Sequence, residues 1–258
     1  MAFNFLVIGE SCQDVFRYGS CNRLSPEAPV PVFIPEYTHK TGGMAKNVYG
    51  NLLAIIRKEN ENHSVYPLFS HGEAIKTRYV DIKTNHYFLR VDEFDDKYEQ
   101  IDFDAENEYK IKSADCIVIS DYGKGFLKED DIFWIAEIKK KSALIFLDTK
   151  KTFSEKLVLS ADFIKINQRE FIDNFSSHEF AEYNDKLIVT LGEKGAMHDS
   201  IVYPVKEPQN TIDVSGAGDT FLAALAFKYM STKSIPESIN YANRLSGEVV
   251  KRKGVVTV

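Results

Sequence analysis

Cysteine is scarce in this chain: Cys12, Cys21 and Cys116 are the only three among 258 residues. They cannot all pair with one another, they form no Cys-x-x-Cys, and no histidine stands at a zinc-site spacing from them. Reduced thiols in a cytoplasmic protein are therefore expected. The six histidines include no His-Glu-x-x-His, so there is no zinc-protease signal. No window approaches the roughly 18 consecutive apolar residues of a membrane span. The opening Met1-Ala-Phe-Asn-Phe-Leu-Val-Ile-Gly9 has no basic stretch and only a short apolar run, so a signal peptide is not expected. Basic blocks are missing too. With 32 Lys+Arg against 38 Asp+Glu, a net charge of −6, the composition argues against non-specific nucleic-acid binding and against docking on an anionic membrane. Three phosphate signatures are absent as well: Gly-x-x-x-x-Gly-Lys-Ser/Thr, Gly-x-Gly-x-x-Gly after the first strand, and the His-Arg-Asp/Asp-Phe-Gly set. A P-loop protein, a dinucleotide-binding Rossmann domain and a protein kinase are thereby excluded.

What is present reads as a globular α/β chain, 44% hydrophobic and 27% charged, without repeats, low-complexity tracts or a Pro/Gly/Ser linker. One domain over 1–258 is expected. Short apolar runs at Phe5–Ile8, Cys116–Ile119, Leu144–Leu147, Phe163–Ile166 and Leu187–Leu191 predict buried parallel strands. Helical patterns at Met44–Arg57, Lys128–Lys141, Gln168–Phe175, Ala217–Met230 and Ile235–Lys251 lie between or after them. That alternation predicts a mostly parallel sheet covered on both faces. Val30–Tyr37 and Arg78–Val91 mix polar with apolar residues and predict a small sheet standing apart. Arg57–Ser64 and Asp92–Glu108 read as solvated connections.

In open parallel sheets, ligands bind beyond the carboxyl ends of the strands. The residues following the apolar runs are Gly9, Glu10 and Asp14; Ser120, Asp121 and Lys124; Asp148 and Lys150; Asn167 and Glu170; and Gly192, Lys194 and Gly195. All suit phosphate, metal or hydroxyl groups. The sharpest motif is Asp213-Val-Ser-Gly-Ala-Gly-Asp219 at the start of an apolar helix. Free N–H groups of Gly216, Ala217 and Gly218, with the helix dipole, make an anion site. Asp219 is poorly suited to bind phosphate beside it, and is suited to act as a base on an attacking hydroxyl. A glycine-rich turn with Asp219 as a cap is the plainer alternative. Gly42 and Gly43 ahead of Asn47 allow close approach of a polyhydroxylated ligand, or simply start a helix.

Together these residues resemble the ribokinase (PfkB) family of carbohydrate kinases. The supporting motifs are Gly42-Gly43 with Asn47, Asn167-Gln-Arg-Glu170, Thr190-Leu-Gly-Glu-Lys-Gly195 and Asp213–Asp219. Within that family, Arg23-Leu-Ser-Pro-Glu-Ala-Pro-Val-Pro31, Ser120-Asp-Tyr-Gly-Lys-Gly125 and Leu89-Arg-Val-Asp92 are similar to kinases of D-glycero-D-manno-heptose 7-phosphate, which act on the way to ADP-heptose for lipopolysaccharide. The resemblance implies a three-layer α/β/α fold with a β-sheet lid, often paired in a homodimer, and an ATP-dependent, magnesium-requiring kinase of a small sugar substrate.

It implies Asp219 as base over a Gly216–Gly218 anion hole, and Asp14, Gly42, Gly43 and Asn47 on sugar hydroxyls. Asn167 and Glu170 would organise magnesium through water. Thr190, Gly192, Lys194, Gly195 and Asn243 would line the nucleotide, and Asp213 would hold a monovalent cation such as potassium. Asp121, Lys76, Arg78, Arg90, Lys124 and Lys150 are candidates for the sugar and its phosphate. A kinase of another sugar, or a non-catalytic binder on the same fold, are the alternatives. Two departures stand out: Gly9-Glu10 replaces the usual Gly-Asp, and only Lys58–Thr77 separates the Asn47 helix from the lid, where relatives carry a further strand and helix. A chain of 258 residues has no room for an appended nucleotidyltransferase, so a sugar phosphate is the expected product.

Overall fold

The computed structural model describes residues 2–70, 74–96, 98–175, 182–206 and 211–258. Residues 71–73 of the shortened stretch and Lys97 of the 92–108 connection lie outside them. The main sheet comprises β1 (Asn4–Gly9), β4 (Ser64–Phe69), β7 (Cys116–Asp121), β8 (Leu144–Thr149), β9 (Phe163–Asn167), β10 (Leu187–Thr190), β11 (Ala196–His198) and β12 (Ile201–Tyr203). Their order is β12-β11-β10-β9-β8-β7-β1-β4, and all run the same way except β11, which is antiparallel to both of its neighbours. The second sheet, β3-β2-β5-β6, is built from β2 (Ser11–Ser20), β3 (Ile34–Met44), β5 (Ala74–Asp81) and β6 (Tyr87–Glu93). The helices among the described residues are α1 (Ala45–Lys58), α2 (Ala105–Ser113), α3 (Glu129–Ile138), α4 (Glu155–Leu159), α5 (Gln168–Asn174), α6 (Ala217–Thr232) and α7 (Ile235–Val249).

The period of two along each strand divides the core. Phe5, Val7, Cys116, Val118, Phe146 and Ile188 point to one face, which α1, α6 and α7 cover. Leu6, Ile8, Ile117, Ile119, Ile145 and Leu147 point to the other, against α2, α3 and α4. Helix α6 is buried almost all round, because it lies between α1 and α7 as well as on the sheet. Cys12, Cys21 and Cys116 are unpaired. Among the described residues, no helix is long and apolar enough to cross a membrane.

Besides β4, β11, β12 and α4, which the sequence reading does not contain, the structure departs from it as follows. Strand β2 was not anticipated, because its polar residues suggest surface whereas Ser11 and Asp14 are buried. The strand expected at Val30–Tyr37 begins only at Ile34, since Pro29 and Pro31 hold the preceding chain outside the ladder. The stretch Arg78–Val91 is two strands joined by a turn at 82–86. The connection 92–108 buries Ile101, whose N–H donates to the Phe126 carbonyl, and ends in α2, capped by Asp104.

The shortened stretch forms β4, which ends the main sheet. Ser64 and Ser70 donate their N–H groups to Phe3 and Gly9, so the even-numbered residues face β1. Pro67, at odd parity, falls where an N–H would point to the open edge, beside half-exposed Tyr66. Strand β1 runs into the lid strand β2 with only Glu10 between them.

Leu6 is fully buried on β1, between β7 and β4. Leu6→Ala is expected to cost about 2–5 kcal/mol through transfer and cavity terms, read as a lower urea midpoint at unchanged slope.

Candidate active site

The strand pairing gathers the chemistry on one rim. Gly9 lies beside Ser120, Ser120 beside Asp148, and Asn167 beside Thr190. Above that rim, Asp219 occupies the first turn of α6 and is 6% exposed. Its Oδ2 accepts from Asn47 Nδ2 at 2.9 Å and its Oδ1 from the Tyr122 hydroxyl at 2.8 Å. Burial raises its carboxyl from 3.8 to about 6, against the two hydrogen bonds; the Asp148 charge adds to the rise and Lys165 opposes it. Burial, with the neighbouring Asp219 charge, pushes the Tyr122 hydroxyl well up, so it remains a donor.

Each partner is itself held. Asn51 donates to the Asn47 side-chain oxygen at 3.1 Å, which turns the Asn47 amide N–H groups towards Asp219. Glu10, fully buried, accepts the N–H groups of Tyr122 (2.8 Å), Lys124 (2.9 Å) and Phe126 (3.3 Å). The additional methylene relative to aspartate thus reaches a loop from the hinge of the lid. Desolvation and nearby Asp121 raise the Glu10 carboxyl, while the N–H donors lower it.

The anion site is narrower than expected. Gly216, with φ 79°, caps α6 in the left-handed region, and a Cβ there would come within 2.6 Å of Asn47 Nδ2. Ala217 N–H turns back onto the Val214 carbonyl at 3.2 Å, because the chain closes a tight turn before the helix, so it is not available to an anion. Under Gly218 lies the buried Lys165 ammonium, 3.1 Å from where a Cβ would stand. Lys165 donates to Asp148 Oδ2 at 2.6 Å, whereas Asp148 Oδ1 is buried with no hydrogen-bond partner and Lys150 Nζ lies 3.9 Å away. Lys165 was not singled out from the sequence; a lysine inside the apolar run Phe-Ile-Lys-Ile was the available signal.

Asn167 and Glu170 form a reciprocal capping box at the start of α5, each side chain accepting the other's N–H at 2.9 Å. Glu170 also pairs with Lys150. A cavity of about 820 Å³ opens here, its walls including Asp148, Lys165, Asn167, Gly216, Gly218 and Asp219. A second, of about 550 Å³, continues past Gly192, Lys194, Gly195, Phe221 and Asn243. Thr190, Gly192, Val214 and Gly218 border both. Thr190 uses its hydroxyl on the Ile166 carbonyl, and Asn243 donates to the Tyr203 carbonyl.

On the lid side, Asp14 is ion-paired with Arg78, whose guanidinium lies over the Phe16 ring. Gly43 is backed directly by Asp14, leaving no room for a side chain. Gly42 instead borders a smaller cavity of about 420 Å³ with His39 and Lys46. Lys76 and Lys124 share Asp95 at 2.6 and 2.7 Å, and Arg90 grips Asp92 through two bonds of 2.7 Å. Asp121, expected on substrate, is used inside the wall: it accepts from Thr149, Lys151 and Gly123.

A family model described as pfkB family carbohydrate kinase matches residues 55–258. The chain belongs to that family. Members of the pfkB family transfer a phosphoryl group from ATP, with magnesium, to a carbohydrate, and this chain is an ATP-dependent carbohydrate kinase. It is 29% identical over 297 positions to the bifunctional protein HldE of Haemophilus influenzae (strain Rd), covering 98% of this chain and 61% of that protein. The HldE of Campylobacter curvus is 32% identical over 301 positions, with 98% and 62% covered. The chain thus spans about three-fifths of the length of the curated relatives it matches. Because 297 positions exceed the 258 residues here, those relatives carry residues that this chain lacks. Ribokinase of Arabidopsis thaliana, solved with ribose and ATP, has the same fold at TM-score 0.69 and 15% identity, covering 98% of this chain and 94% of that one. Phosphofructokinase-2 of Escherichia coli, solved with potassium, gives 0.66 and 15% over the same shares.

A pfkB kinase needs magnesium, and the donors suit it. Asp148 presents a buried carboxylate oxygen without a hydrogen-bond partner to the cavity that Asn167 also lines, and Glu170 is joined to Asn167 through the capping box. Among the described residues there is no group of three or more His, Cys, Asp or Glu that could hold a metal. Magnesium ordinarily relies on phosphates, waters and one or two carboxylates.

Because its folded-state carboxyl lies above the unfolded value, Asp219 contributes stability that falls as pH rises from about 4 to 6. Tyr122→Phe removes a bond that favours the charged form, so the Asp219 titration is expected to move above about 6, read by carboxyl NMR.

Proposed function

We propose that this kinase phosphorylates the anomeric O1 of a heptose 7-phosphate, supplying a precursor of ADP-heptose and lipopolysaccharide in the cytoplasm. The observation that carries the catalytic part is Asp219: a buried carboxylate, poised near 6, held by Asn47 and Tyr122 at the mouth of a helix. The similarity to proteins named HldE and the subgroup motifs support the substrate.

In this reading the O1 hydroxyl gives its proton to Asp219 as the O1–phosphorus bond forms. The bond from the γ-phosphorus to the bridging oxygen breaks, and ADP carries the electron pair away. N–H groups of Gly216 and Gly218 and the α6 dipole meet the charge that develops on the transferring group. Lys165 brings an ammonium to the same wall, and Asp148 keeps it in place. Asp148, Asn167 and Glu170 would hold magnesium, directly or through water, and it would supply positive charge against the nucleotide phosphates. Asn243, Thr190, Gly192, Lys194 and Gly195 line the nucleoside end, and Asp14, Gly43 and Asn47 the sugar hydroxyls. The substrate phosphate is met by Lys76, Arg78, Lys124 and Arg90, which lose their present carboxylate partners to it in part.

ADP release with ATP and a panel of sugars and sugar phosphates tests the assignment. Heptose 7-phosphate is expected to give the highest kcat/KM; a better substrate without a phosphate would overturn that choice while leaving the kinase intact. Asp219→Asn is expected to lower kcat by about 10²–10⁴-fold, and Lys165→Met by about 10²-fold. Full activity in either variant removes the role given to that residue.

The lid also presents Ile34, Phe88, Leu89 and Val91 to solvent, and we assign this surface to a second copy of the chain. Sedimentation is expected to give a dimer that Leu89→Asp converts to monomer; a wild-type monomer refutes the pairing.

A further inference from the structure

Asp213 opens the turn that ends in Gly216, and three donors converge on its carboxylate. Ser215 N–H reaches Oδ1 at 2.9 Å, Gly254 N–H reaches Oδ2 at 3.0 Å, and the Tyr87 hydroxyl reaches Oδ2 at 3.0 Å. They belong to three different parts of the molecule: the turn itself, the C-terminal loop and the lid strand β6. The loop is wedged under the lid, with Val255 buried among Phe16, Tyr18 and Val80. The same loop accepts the Ile212 and Asp213 N–H groups on the Val250 carbonyl, at 2.7 and 3.1 Å. Asp213 is therefore the junction of lid, loop and phosphate-binding turn.

A monovalent cation is the group the family leads one to expect at this carboxylate. The residues present fit it poorly. Both oxygens already accept N–H groups, and the lid places a hydroxyl donor on Oδ2. We propose that the Tyr87 hydroxyl takes the place of the cation. Seating Tyr87 on Asp213 then sets the turn that carries Gly216 and Gly218, which makes Tyr87 a positioning residue for phosphoryl transfer. With Tyr87 unseated the turn would be less firmly set, and ATP held there would be lost to water more often relative to transfer.

The activity arm of the test rests on the kinase reading; the melting arm does not. Wild type, Tyr87→Phe, Asp213→Asn and the double variant are melted in KCl, NaCl and choline chloride at equal ionic strength. The wild-type midpoint is expected to be the same in all three salts. Tyr87→Phe is expected to lower it, and the double variant to fall no further than Asp213→Asn, since the two residues act through one bond. In turnover, Tyr87→Phe is expected to lower kcat/KM for the sugar about tenfold, the lower end for a hydrogen bond to a charged acceptor. The ratio of idle ATP hydrolysis to sugar phosphorylation should rise, which a merely structural loss would not produce. Selective stabilisation of the wild type by potassium overturns the proposal, as do additive losses in the double variant or a wild-type hydrolysis ratio in Tyr87→Phe. A wild type that turns over no sugar sinks the kinase reading instead, and the melting cycle then decides the role of Tyr87 alone.

Discussion

The charge on Asp219 is the constraint around which the site is arranged. A carboxylate taken out of water stays ionised only where donors replace that water. Here one donor comes from α1 and the other from the loop after β7. The α1 donor depends on Asn51, and the loop depends on the buried Glu10. The base therefore reports on the packing of α1, on the hinge between sheet and lid, and on the first turn of α6 at once. A shift in any of them would change its proton affinity before it changed its position. The pKa near 6 follows from that balance, close enough to neutrality for an ionised base that still accepts a proton readily.

The lid handles charge differently. Lys76, Arg78, Arg90 and Lys124 are each paired with Asp14, Asp92 or Asp95, so none of these four cations is left without a counter-ion. A dianionic substrate would then exchange partners with carboxylates rather than neutralise bare ammonium groups. Exchange favours a doubly charged phosphate over a singly charged carboxylate, and leaves a neutral sugar little to gain. The discrimination proposed for the substrate lies in this competition.

Much of the fold could be read from residue pattern, and the reasons are specific. Phe5–Ile8 and Cys116–Ile119 are apolar on both faces because helices cover both, so an unbroken run signals a buried strand. The glycine turn ahead of Asp219 was legible because few roles besides phosphate binding suit small residues at the mouth of an apolar helix. Partners were not legible. Asn-x-x-Glu reads as a metal motif, yet here it is also the cap of α5, and nothing in the spacing separates the two uses. Asp121 looked like a ligand because it follows a strand, but Lys151 and Thr149 draw it inward. Strand β2 escaped because buried polar residues imitate a surface when read one at a time. Tyr122 and Lys165 escaped because their meaning lies in residues distant along the chain.

The main sheet ends on β4, with Pro67 at a position whose N–H would face outward. An outermost strand normally offers a ladder of donors to any passing extended segment, including the same strand of another molecule. Proline removes one of the few donors that so short a strand could extend, and its ring obstructs the approach of a neighbour. The margin of the sheet thus resists templating. A replacement at Pro67 that restored the missing N–H would reopen the path to edge-to-edge pairing.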